Sequence, residues 1–358
     1  MWITSSPTSA KKPTKIALGN FDGVHLGHQR VIEPVLTHKG GLPSLELAED
    51  MCLQAAEASG YSDLPGAVTS IDVPTSGFTE WASVVTFFPH PKEFFSGHSR
   101  PLLTPLEEKS RQLACLGVDQ LVLLPFNAAL ANLDAAEFVE QILIHELQAT
   151  HISVGSDFHF GKGRRGNAEL LGAIATRHKI PITIVPLQND IEGRISSSRI
   201  RQALTDGELA RANQLLGRPY ILTGHVVQGK QLGRTIGFPT ANLKLPTDKF
   251  IPRQGVYSVK AFNILPDQKP LFGVMNIGNR PTVEGQDLSV EVHLFDWDGD
   301  LYGETITVSL ESFIRPEQKF ESLDSLKQQI AQDCKTAREI LKRFSSSAAQ
   351  PQHDGEGA

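Results

Sequence analysis

The chain has 358 residues, of which 21% are charged, and a formal net charge of -6. This length favours two domains, each large enough to bury a core. The slightly acidic balance argues against a general affinity for nucleic acid or for an anionic membrane surface. The first residues lack a signal-peptide core, and no apolar run approaches the length of a spanning helix. We therefore expect a cytoplasmic protein with neither nucleic-acid nor membrane partner, and the oligomeric state stays open.

The three cysteines, Cys52, Cys115 and Cys334, are scattered along the chain. They lack the paired spacing of a disulfide framework or of a zinc site. We expect them to be thiols of the core or surface, as in a reducing compartment.

Up to about residue 215, short apolar runs alternate with stretches of helical period. The predicted strands cover residues 15–18, 84–88, 120–124, 152–155 and 182–185, and the predicted helices cover 105–116, 135–147 and 167–178. This alternation is typical of βα units on a parallel sheet. It predicts an α/β domain over residues 14–215. Residues 38–82 fit this rhythm poorly, and we interpret them as an insertion or a mobile loop.

Beyond Pro219 the chain changes to alternating apolar and polar positions separated by turns. The predicted strands cover residues 220–227, 255–262, 272–277, 289–294 and 304–309. This pattern predicts an antiparallel sheet or barrel over residues 219–343, closed by a helix from Ser322 to Arg343. The composition of residues 344–358 is that of a disordered tail.

The stretch GNFDGVHLGHQR, residues 19–30, follows the first of these strands directly. A Gly-rich turn that runs into a helix N-terminus presents N–H groups and a positive dipole end, which suit phosphate. His25 and His28 share one helix face at this spacing, and Gly27 permits close approach of a nucleotide. The stretch is neither a P-loop nor a G-x-G-x-x-G redox loop. A plain turn with solvent-facing histidines is the alternative interpretation.

Three further stretches of the first half place polar or aromatic groups at the ends of predicted strands. In VGSDFHFGKGRRG, residues 154–166, Asp157 follows a strand, and two phenylalanines are suited to lining an aromatic slot. In RISSSRIR, residues 194–201, arginines surround three hydroxyls at a helix start, which suits the phosphates of ATP. The two prolines of TFFPHP, residues 86–91, make the chain rigid where the strand ends. His90 at this place faces either a cleft or solvent. An ordinary loop and an ordinary helix cap remain the alternatives for the first two.

Two stretches of the second half place oxygen groups on extended chain. In GKQLGRTIGFPTANL, residues 229–243, Thr240 and Asn242 face one side and offer hard oxygen donors, which suit Mg²⁺ shared with phosphates. In SVEVHLFD, residues 289–296, Glu291 and His293 occupy the face opposite the apolar residues. A carboxylate there, beside a metal, can accept the proton of an attacking hydroxyl. An edge strand with solvated polar residues is the alternative.

The pattern H-x-G-H occurs in α/β nucleotidyltransferases and in class I aminoacyl-tRNA synthetases. Together, the six stretches resemble the prokaryotic-type bifunctional riboflavin kinase/FAD synthetase family, from about Thr14 to Arg343. The resemblance implies a Rossmann-like nucleotidyltransferase domain that adenylylates FMN, followed by an antiparallel β-barrel riboflavin kinase domain with a terminal helix. It also implies ATP, riboflavin and FMN as substrates and Mg²⁺ as cofactor.

The resemblance assigns an expected role to each matching residue. It implies His25 and His28 as catalytic residues of adenylyl transfer and Glu291 as the base of the kinase. Nucleotide contacts are expected at Gly19, Phe21, Asp22, Gly27, Arg194, Ser197, Arg199, Gly233, Arg234 and Gly237. Flavin contacts are expected at Asp157, Phe158 and Phe160, and metal contacts at Thr240 and Asn242. Phe88 departs from the family pattern, which has an acidic residue at its place.

Three other interpretations account for fewer of these stretches. An adenylyltransferase for another nucleotide-like substrate, with an unrelated β-domain, leaves GFPTAN unexplained. A class I synthetase would bring anticodon-binding parts and a basic RNA face. A flavin sensor without turnover would have no use for His25, His28 and Glu291.

Overall fold

A computed structural model of the protein describes residues 1–36, 80–229, 232–265, 269–282 and 285–347. The chain forms two compact units. The first unit comprises residues 1–200, 215–217 and 248–250, and the second comprises 201–214, 218–247 and the chain from 251 onwards. Of the predicted insertion over residues 38–82, residues 38–79 lie outside the described part of the chain.

The first unit is built on a six-stranded sheet in which all neighbouring strands are parallel. The strand order is β1-β4-β3-β2-β5-β8. The strands are β1 (Trp2–Thr4), β2 (Thr14–Leu18), β3 (Trp81–Phe88), β4 (Gln120–Pro125), β5 (Ala149–Gly155) and β8 (Ile182–Val185). This confirms the predicted α/β architecture. The sequence patterns missed β1 and placed the start of β3 three residues too late, at Val84.

Helices and two small hairpins connect these strands. The helices are α1 (Leu26–Ile32), α2 (Pro91–Ser96), α3 (Leu106–Cys115), α4 (Ala128–Asn132), α5 (Ala135–Glu137), α6 (Ala168–Arg177), α7 (Ser197–Asp206) and α8 (Leu209–Leu216). α5 continues as a π-helical stretch, Phe138–Glu146. The hairpins pair β6 (His159–Phe160) with β7 (Gly166–Asn167), and β9 (Asn189–Asp190) with β10 (Gly193–Arg194).

Alternation along the strands gives the sheet two buried faces. Ile16 and Leu18 of β2 join one apolar cluster, whereas Ala17 between them joins the other. The first cluster includes Leu171 of α6, and the second includes Ile32 of α1. A central parallel strand is covered by helices on both faces, which explains why these strands are continuously apolar.

The strand order reverses beside β2. The chain passes from β2 to β3 and β4 on one side, whereas β5 and β8 lie on the other side. In open parallel sheets, ligands bind at the carboxyl ends of the strands where this reversal occurs. The loop of residues 19–25 follows β2, and Asp157 follows β5, so both lie at this point.

The second unit is a closed antiparallel barrel with the order β11-β12-β15-β14-β13-β16. Its strands are β11 (Tyr220–Val227), β12 (Ala241–Lys244), β13 (Gly255–Phe262), β14 (Leu271–Thr282), β15 (Gly285–Leu294) and β16 (Thr305–Arg315). A short helix, α9 (Leu232–Thr235), precedes β12, and α10 (Leu323–Ser347) follows β16. The predicted barrel with a terminal helix is confirmed.

The helix α10 packs against the barrel through an apolar stripe and an ion pair. Ala337 and Leu341 are buried with Phe295, and Arg315 pairs with Asp333 at 2.7 Å. The helix ends at Ser347, so the prediction of a disordered stretch is wrong for residues 344–347. The rest of that stretch lies outside the described residues.

The cysteines correct one expectation. Cys115 at the end of α3 is disulfide-bonded, so the prediction of a thiol is wrong there. Cys334 on α10 is a free thiol, and burial, together with nearby Asp333, raises its pKa to about 11. Cys52 lies outside the described residues.

Candidate active sites

The loop after β2 holds two histidines whose rings are stacked. The ring centroids of His25 and His28 lie 3.6 Å apart, with 14° between the ring planes. His25 is the N-cap of α1, because its Nδ1 accepts a hydrogen bond from the backbone N–H of His28 at 3.2 Å. Since Nδ1 accepts, the ring proton of His25 lies on Nε2. The predicted histidine pair is therefore a single structural element.

The backbone of this loop takes conformations that side chains rarely adopt. Phe21 has a φ of 50° and Val24 a φ of 42°, on either side of Gly23 at 93°. A β-branched residue such as valine is strained in this region. Strain of this kind persists only where the surroundings fix the backbone. The supports of the loop are therefore part of the site.

One support is the carboxylate of Asp22, which is only 5% exposed. Its Oδ1 accepts hydrogen bonds from the N–H of Leu103 at 2.8 Å and of Thr104 at 3.3 Å. Thr104 Oγ1 in turn accepts from the N–H of Gly23 at 2.9 Å. Asp22 was predicted to contact nucleotide, and these bonds fasten its carboxylate to residues 103–104 inside the protein.

A second support is Lys109 of α3, a residue that the sequence patterns missed. Its Nζ donates to the carbonyl of Asn20 at 3.1 Å, and Thr86 Oγ1 donates to the same carbonyl at 3.2 Å. Burial lowers the pKa of Lys109, while the carboxylates of Asp22 and Glu93 act in the opposite direction. Its sequence neighbourhood carries no signal, because the contact joins residues 89 positions apart.

The serine and arginine stretch lies against the histidine loop. Ser197 Oγ donates to the carbonyl of Asp22 at 2.8 Å. A Cβ atom added at Gly27 would lie 3.2 Å from the ring of His25 and 3.8 Å from the carbonyl oxygen of Ile195. At Gly19 an added Cβ would lie 3.2 Å from the ring of Phe21. The two stretches that were predicted to face one nucleotide are therefore neighbours.

Both arginines predicted to bind phosphate are engaged by carboxylates. Arg194 pairs with Asp157, itself predicted to contact flavin. Arg199 pairs with Asp190 at 3.0 Å and donates to the carbonyl of Gly193 at 2.8 Å. Arg199 therefore braces the β9–β10 hairpin, and a triphosphate would compete with Asp157 for Arg194.

The two phenylalanines predicted to contact flavin differ in access. Phe160 is 5% exposed and packs on Phe138 with 5.5 Å between ring centroids. Phe158 is partly buried and stacks on Phe160 at 5.7 Å. Phe160 is thus a core residue that supports Phe158, and of the two only Phe158 is open to a ligand.

The region around the Phe88 departure is aromatic. Phe88 is 56% exposed at the end of β3, and Phe94 of α2 contacts Phe126 with 5.4 Å between ring centroids. His90 caps α2, because its Nδ1 accepts from the N–H of Lys92 at 3.0 Å. Burial, and after it the charge of Arg100, lowers the pKa of His90 to about 4. His90 therefore has a structural role as a cap.

In the second unit, Glu291 of β15 lies beside both residues predicted to bind metal. Its Oε2 accepts a hydrogen bond from Thr240 Oγ1 at 3.2 Å, and Asn242 is its partner across the β12–β15 ladder. Its Oε1 accepts from Ser289 Oγ at 3.0 Å. Ser289 was missed, although its position two residues before Glu291 places both side chains on one face of the strand.

His293, two residues further along β15, holds the segment that carries Thr240. Its Nδ1 lies 2.8 Å from the carbonyl oxygen of Pro239. Because a carbonyl only accepts, Nδ1 of His293 carries the proton. The edge contact between His293 and Phe238 has 5.6 Å between ring centroids. The sequence patterns placed His293 on the face of Glu291 but gave it no role.

Glycines permit the close packing of this segment. A Cβ atom at Gly229 would lie 2.3 Å from the side-chain amide nitrogen of Asn242, and at Gly233 it would lie 2.3 Å from the carbonyl oxygen of Phe238. Gly237 has a φ of 88°. Arg234 is exposed at the end of α9, so its guanidinium is accessible.

Comparison with known proteins shows that two family models match the chain. The riboflavin kinase model covers residues 216–341, and the FAD synthetase model covers 8–44 and 79–199. A curated bifunctional riboflavin kinase/FMN adenylyltransferase of Escherichia coli K12 is 41% identical over 329 residues, which span 91% of this chain and 92% of that protein. The chain belongs to the bifunctional riboflavin kinase/FMN adenylyltransferase family. The Listeria monocytogenes and Bacillus subtilis members are 36% and 35% identical, each over 92% of this chain.

The same architecture occurs in a crystal structure described as a macrolide-efflux protein from Streptococcus pneumoniae. It is 30% identical to this chain with a TM-score of 0.73, and the match covers 94% of this chain and 98% of that one. What this likeness contributes is the fold, because the description of that protein differs from the family named above. Among the described residues, no helix is both long enough and apolar enough to cross a membrane.

The oxygen donors of the second unit have the chemistry that Mg²⁺ prefers. Within the described ranges, no group of three or more His, Cys, Asp or Glu side chains could hold a metal ion. Thr240 and Asn242 instead offer neutral oxygens beside the carboxylate of Glu291. Such a set of donors would suit Mg²⁺ if substrate phosphates supplied most of the negative charge.

Proposed function

We propose that this chain converts riboflavin to FMN in its second unit and FMN to FAD in its first unit, with one ATP consumed in each step. The observation that carries this proposal is that one chain holds two separate polar clusters, the stacked pair of His25 and His28 in the first unit and the contact of Thr240 with Glu291 in the second. Each site lies in a segment that matches the corresponding family model. We further propose that this chemistry takes place in the cytoplasm, where ATP is available.

In the kinase step, the primary ribityl hydroxyl of riboflavin attacks the γ-phosphorus of ATP. Glu291 accepts the hydroxyl proton as the new P–O bond forms, and the bond between the γ-phosphorus and the bridging oxygen breaks to release ADP. The hydrogen bonds from Thr240 and Ser289 fix both oxygens of Glu291.

Thr240 and Asn242 would hold Mg²⁺ in this site together with oxygens of ATP. When bound, the ion would neutralise charge on the phosphates. His293 contributes by holding the carbonyl of Pro239, which immediately precedes Thr240. The segment around α9, with Gly233, Arg234 and Gly237, would cover the nucleotide.

In the adenylyl-transfer step, a phosphate oxygen of FMN attacks the α-phosphorus of the second ATP. The bond from the α-phosphorus to the bridging oxygen breaks, and pyrophosphate leaves. No proton has to be removed from the attacking phosphate, so the task of the protein is to position the reactants and stabilise charge. His25 offers its Nε2–H to the phosphates, and His28 is stacked beside it.

The remaining residues of the first unit would bind the two substrates. Ser197 and Arg194 would contact the triphosphate, and Arg199 would hold the β9–β10 hairpin in position over it. Phe158 would contact the flavin ring, supported from below by Phe160. Release of Asp157 from Arg194 would then accompany substrate binding.

An adenylyltransferase for another substrate with an unrelated β-domain is not favoured. The second unit matches the riboflavin kinase model over residues 216–341. Its glutamate, threonine and asparagine also form one cluster, which that alternative leaves without a purpose.

A chromatographic time course with riboflavin, ATP and Mg²⁺ tests both activities in one preparation. We expect FMN to appear first and FAD to follow, with ADP and pyrophosphate as the products from ATP. If FMN forms and FAD does not, the function proposed for the first unit is wrong. No flavin product, with oxidised or with reduced riboflavin, would remove both assignments.

A further inference from the structure

Three residues from far along the sequence complete the first unit. Asp248–Phe250 follow β12 in the chain, yet they belong to the first unit. Lys249 forms a parallel bridge with Leu102. The N–H of Leu102 donates to the carbonyl of Asp248 at 2.6 Å, and the N–H of Phe250 donates to the carbonyl of Leu102 at 2.8 Å. Residues 248–250 are thus attached to residues 101–104 through one isolated parallel bridge and its backbone hydrogen bonds.

The side chain of Lys249 is fully buried at this place. It forms an ion pair with Glu108 of α3, and the side chains of Lys249 and Glu108 are 0% and 2% exposed. The ammonium of Lys249 also donates to the carbonyl of Leu103 at 2.8 Å. Buried charges are tolerated only when they are paired and hydrogen-bonded. The position of Leu103 is therefore tied to that of the ammonium group.

Leu103 connects this ammonium to the histidine loop. Its carbonyl accepts from Lys249, while its N–H donates to Oδ1 of Asp22 at 2.8 Å. The next residue, Thr104, donates to the same oxygen and accepts from the N–H of Gly23. These hydrogen bonds connect Lys249 to the loop of residues 19–25. Phe21 and Val24 of this loop have positive φ angles, which persist only where the surroundings fix the backbone.

We propose that Lys249 is a positioning residue for adenylyl transfer: it holds Leu103 and Thr104 in place, and through Asp22 these residues hold the loop of His25 and His28. The proposal rests on the function proposed above for the first unit. Lys249 touches no reacting atom in this account. Its loss should lower the rate of the chemical step more than it weakens substrate binding, because misplacement of catalytic groups acts mainly on that step.

The test uses the full-length chain with Lys249→Met, Glu108→Gln and the double variant. In Lys249→Met we expect kcat for FAD formation from FMN to fall by about tenfold to a hundredfold, with a smaller change in KM for FMN and ATP. Riboflavin phosphorylation by the same preparation should match the wild type, which reports that the chain is folded. Lys260→Met is the matched control, because it removes a lysine that pairs with Glu311 in the barrel at 3.5 Å.

The double variant separates positioning from simple stability. It removes the charge that Lys249→Met leaves buried on Glu108, so we expect its melting temperature to rise above that of Lys249→Met. FAD formation should stay slow, because the carbonyl of Leu103 still lacks the ammonium donor. If the double variant recovers the wild-type kcat together with the melting temperature, the pair is structural only and the proposal is wrong. Wild-type kcat in Lys249→Met overturns it as well.

Amide hydrogen exchange gives a readout that does not depend on turnover. We expect the N–H groups of Gly23, Leu103 and Thr104 to exchange faster in Lys249→Met than in wild type, and unchanged exchange overturns the proposal. A wild-type chain that forms no FAD would instead remove the proposed function, while the exchange experiment would still report on Lys249. The two failures are therefore distinguishable.

Discussion

The two candidate sites are held in place by different means. In the second unit, Asn242 lies opposite Glu291 in neighbouring strands and Thr240 bonds to the same carboxylate, so strand register sets the site. In the first unit, the histidine loop depends on buried side chains from distant parts of the sequence, among them Lys109. A site set by register tolerates changes elsewhere in the protein, whereas a strained loop depends on its buried supports.

The largest effect should come from removing the base of the barrel site. Glu291→Gln keeps the size of the side chain but cannot accept a proton, so we expect riboflavin phosphorylation to fall by about 10²–10⁴-fold. FAD formation from supplied FMN should remain. Both rates are measured by chromatography of the flavins.

Glu311→Gln is a matched control for this substitution. Glu311 also lies on a barrel strand and accepts a hydrogen bond from the serine two residues before it, Ser309, at 2.6 Å. We expect its phosphorylation rate to stay near that of the wild type. Equal losses in the two variants would show that the effect of Glu291→Gln is not specific to the site.

A somewhat smaller loss should follow from His28→Ala in the strained loop. Removal of one stabilising group of this kind costs about 10²–10³-fold in kcat, so FAD formation from FMN should fall by that amount. Riboflavin phosphorylation should be unchanged, and His178→Ala, at the end of α6, serves as control. Wild-type FAD formation in His28→Ala, with normal FMN production, would contradict the role of the histidine pair.

His293 tests the comparison between the two sites. It is a side chain that supports the barrel site, where strand register otherwise sets the positions of the residues. Asparagine can place its amide N–H₂ near the position of Nδ1, whereas glutamine reaches further, towards the position of Nε2. We expect His293→Gln to lower kcat for riboflavin phosphorylation about fivefold, corresponding to a hydrogen bond of about 1 kcal/mol. His293→Asn should retain most of the rate. Equal rates in the two variants would show that the bond to Pro239 has no catalytic consequence.

The smallest effect concerns the pH dependence of stability at the edge of the first site. The pKa of His90 is about 4 in the folded chain, below the ordinary value of about 6.5. Between these values the unfolded chain binds a proton that the folded chain does not. The contribution of neutral His90 to the free energy of unfolding is therefore complete above about pH 6.5 and is lost as the pH falls towards 4.

His90→Asn should reduce this dependence, since asparagine still caps a helix but does not titrate. We expect the melting temperature of the variant to change less than that of the wild type between about pH 4 and 6.5. His98→Asn, at an exposed position, reports the general effect of removing a histidine. If the melting temperature of His90→Asn changes with pH as steeply as that of the wild type, the pH dependence does not come from His90.

Local pattern by itself determined most of the architecture. Periodicity separated a parallel sheet from an antiparallel barrel at about residue 215, because buried central strands are continuously apolar and half-buried strands alternate. Motif spacing likewise predicted that His25 and His28 share one face and that Thr240 and Asn242 share another, and the family resemblance supplied the expected roles of these residues and of Glu291. These features depend on residues close in sequence or on a repeating period.

Only the tertiary structure decided which polar and aromatic residues are buried and which distant residues they contact. It placed Phe160 in the core, turned Asp22 into a support of the loop, and brought Lys249 to Leu103, a loop residue 146 positions earlier in the chain. Spacing could not reveal these roles, because burial and long-range pairing depend on how distant segments pack together. A buried lysine and an exposed lysine look the same in a sequence, and the fold alone distinguishes them.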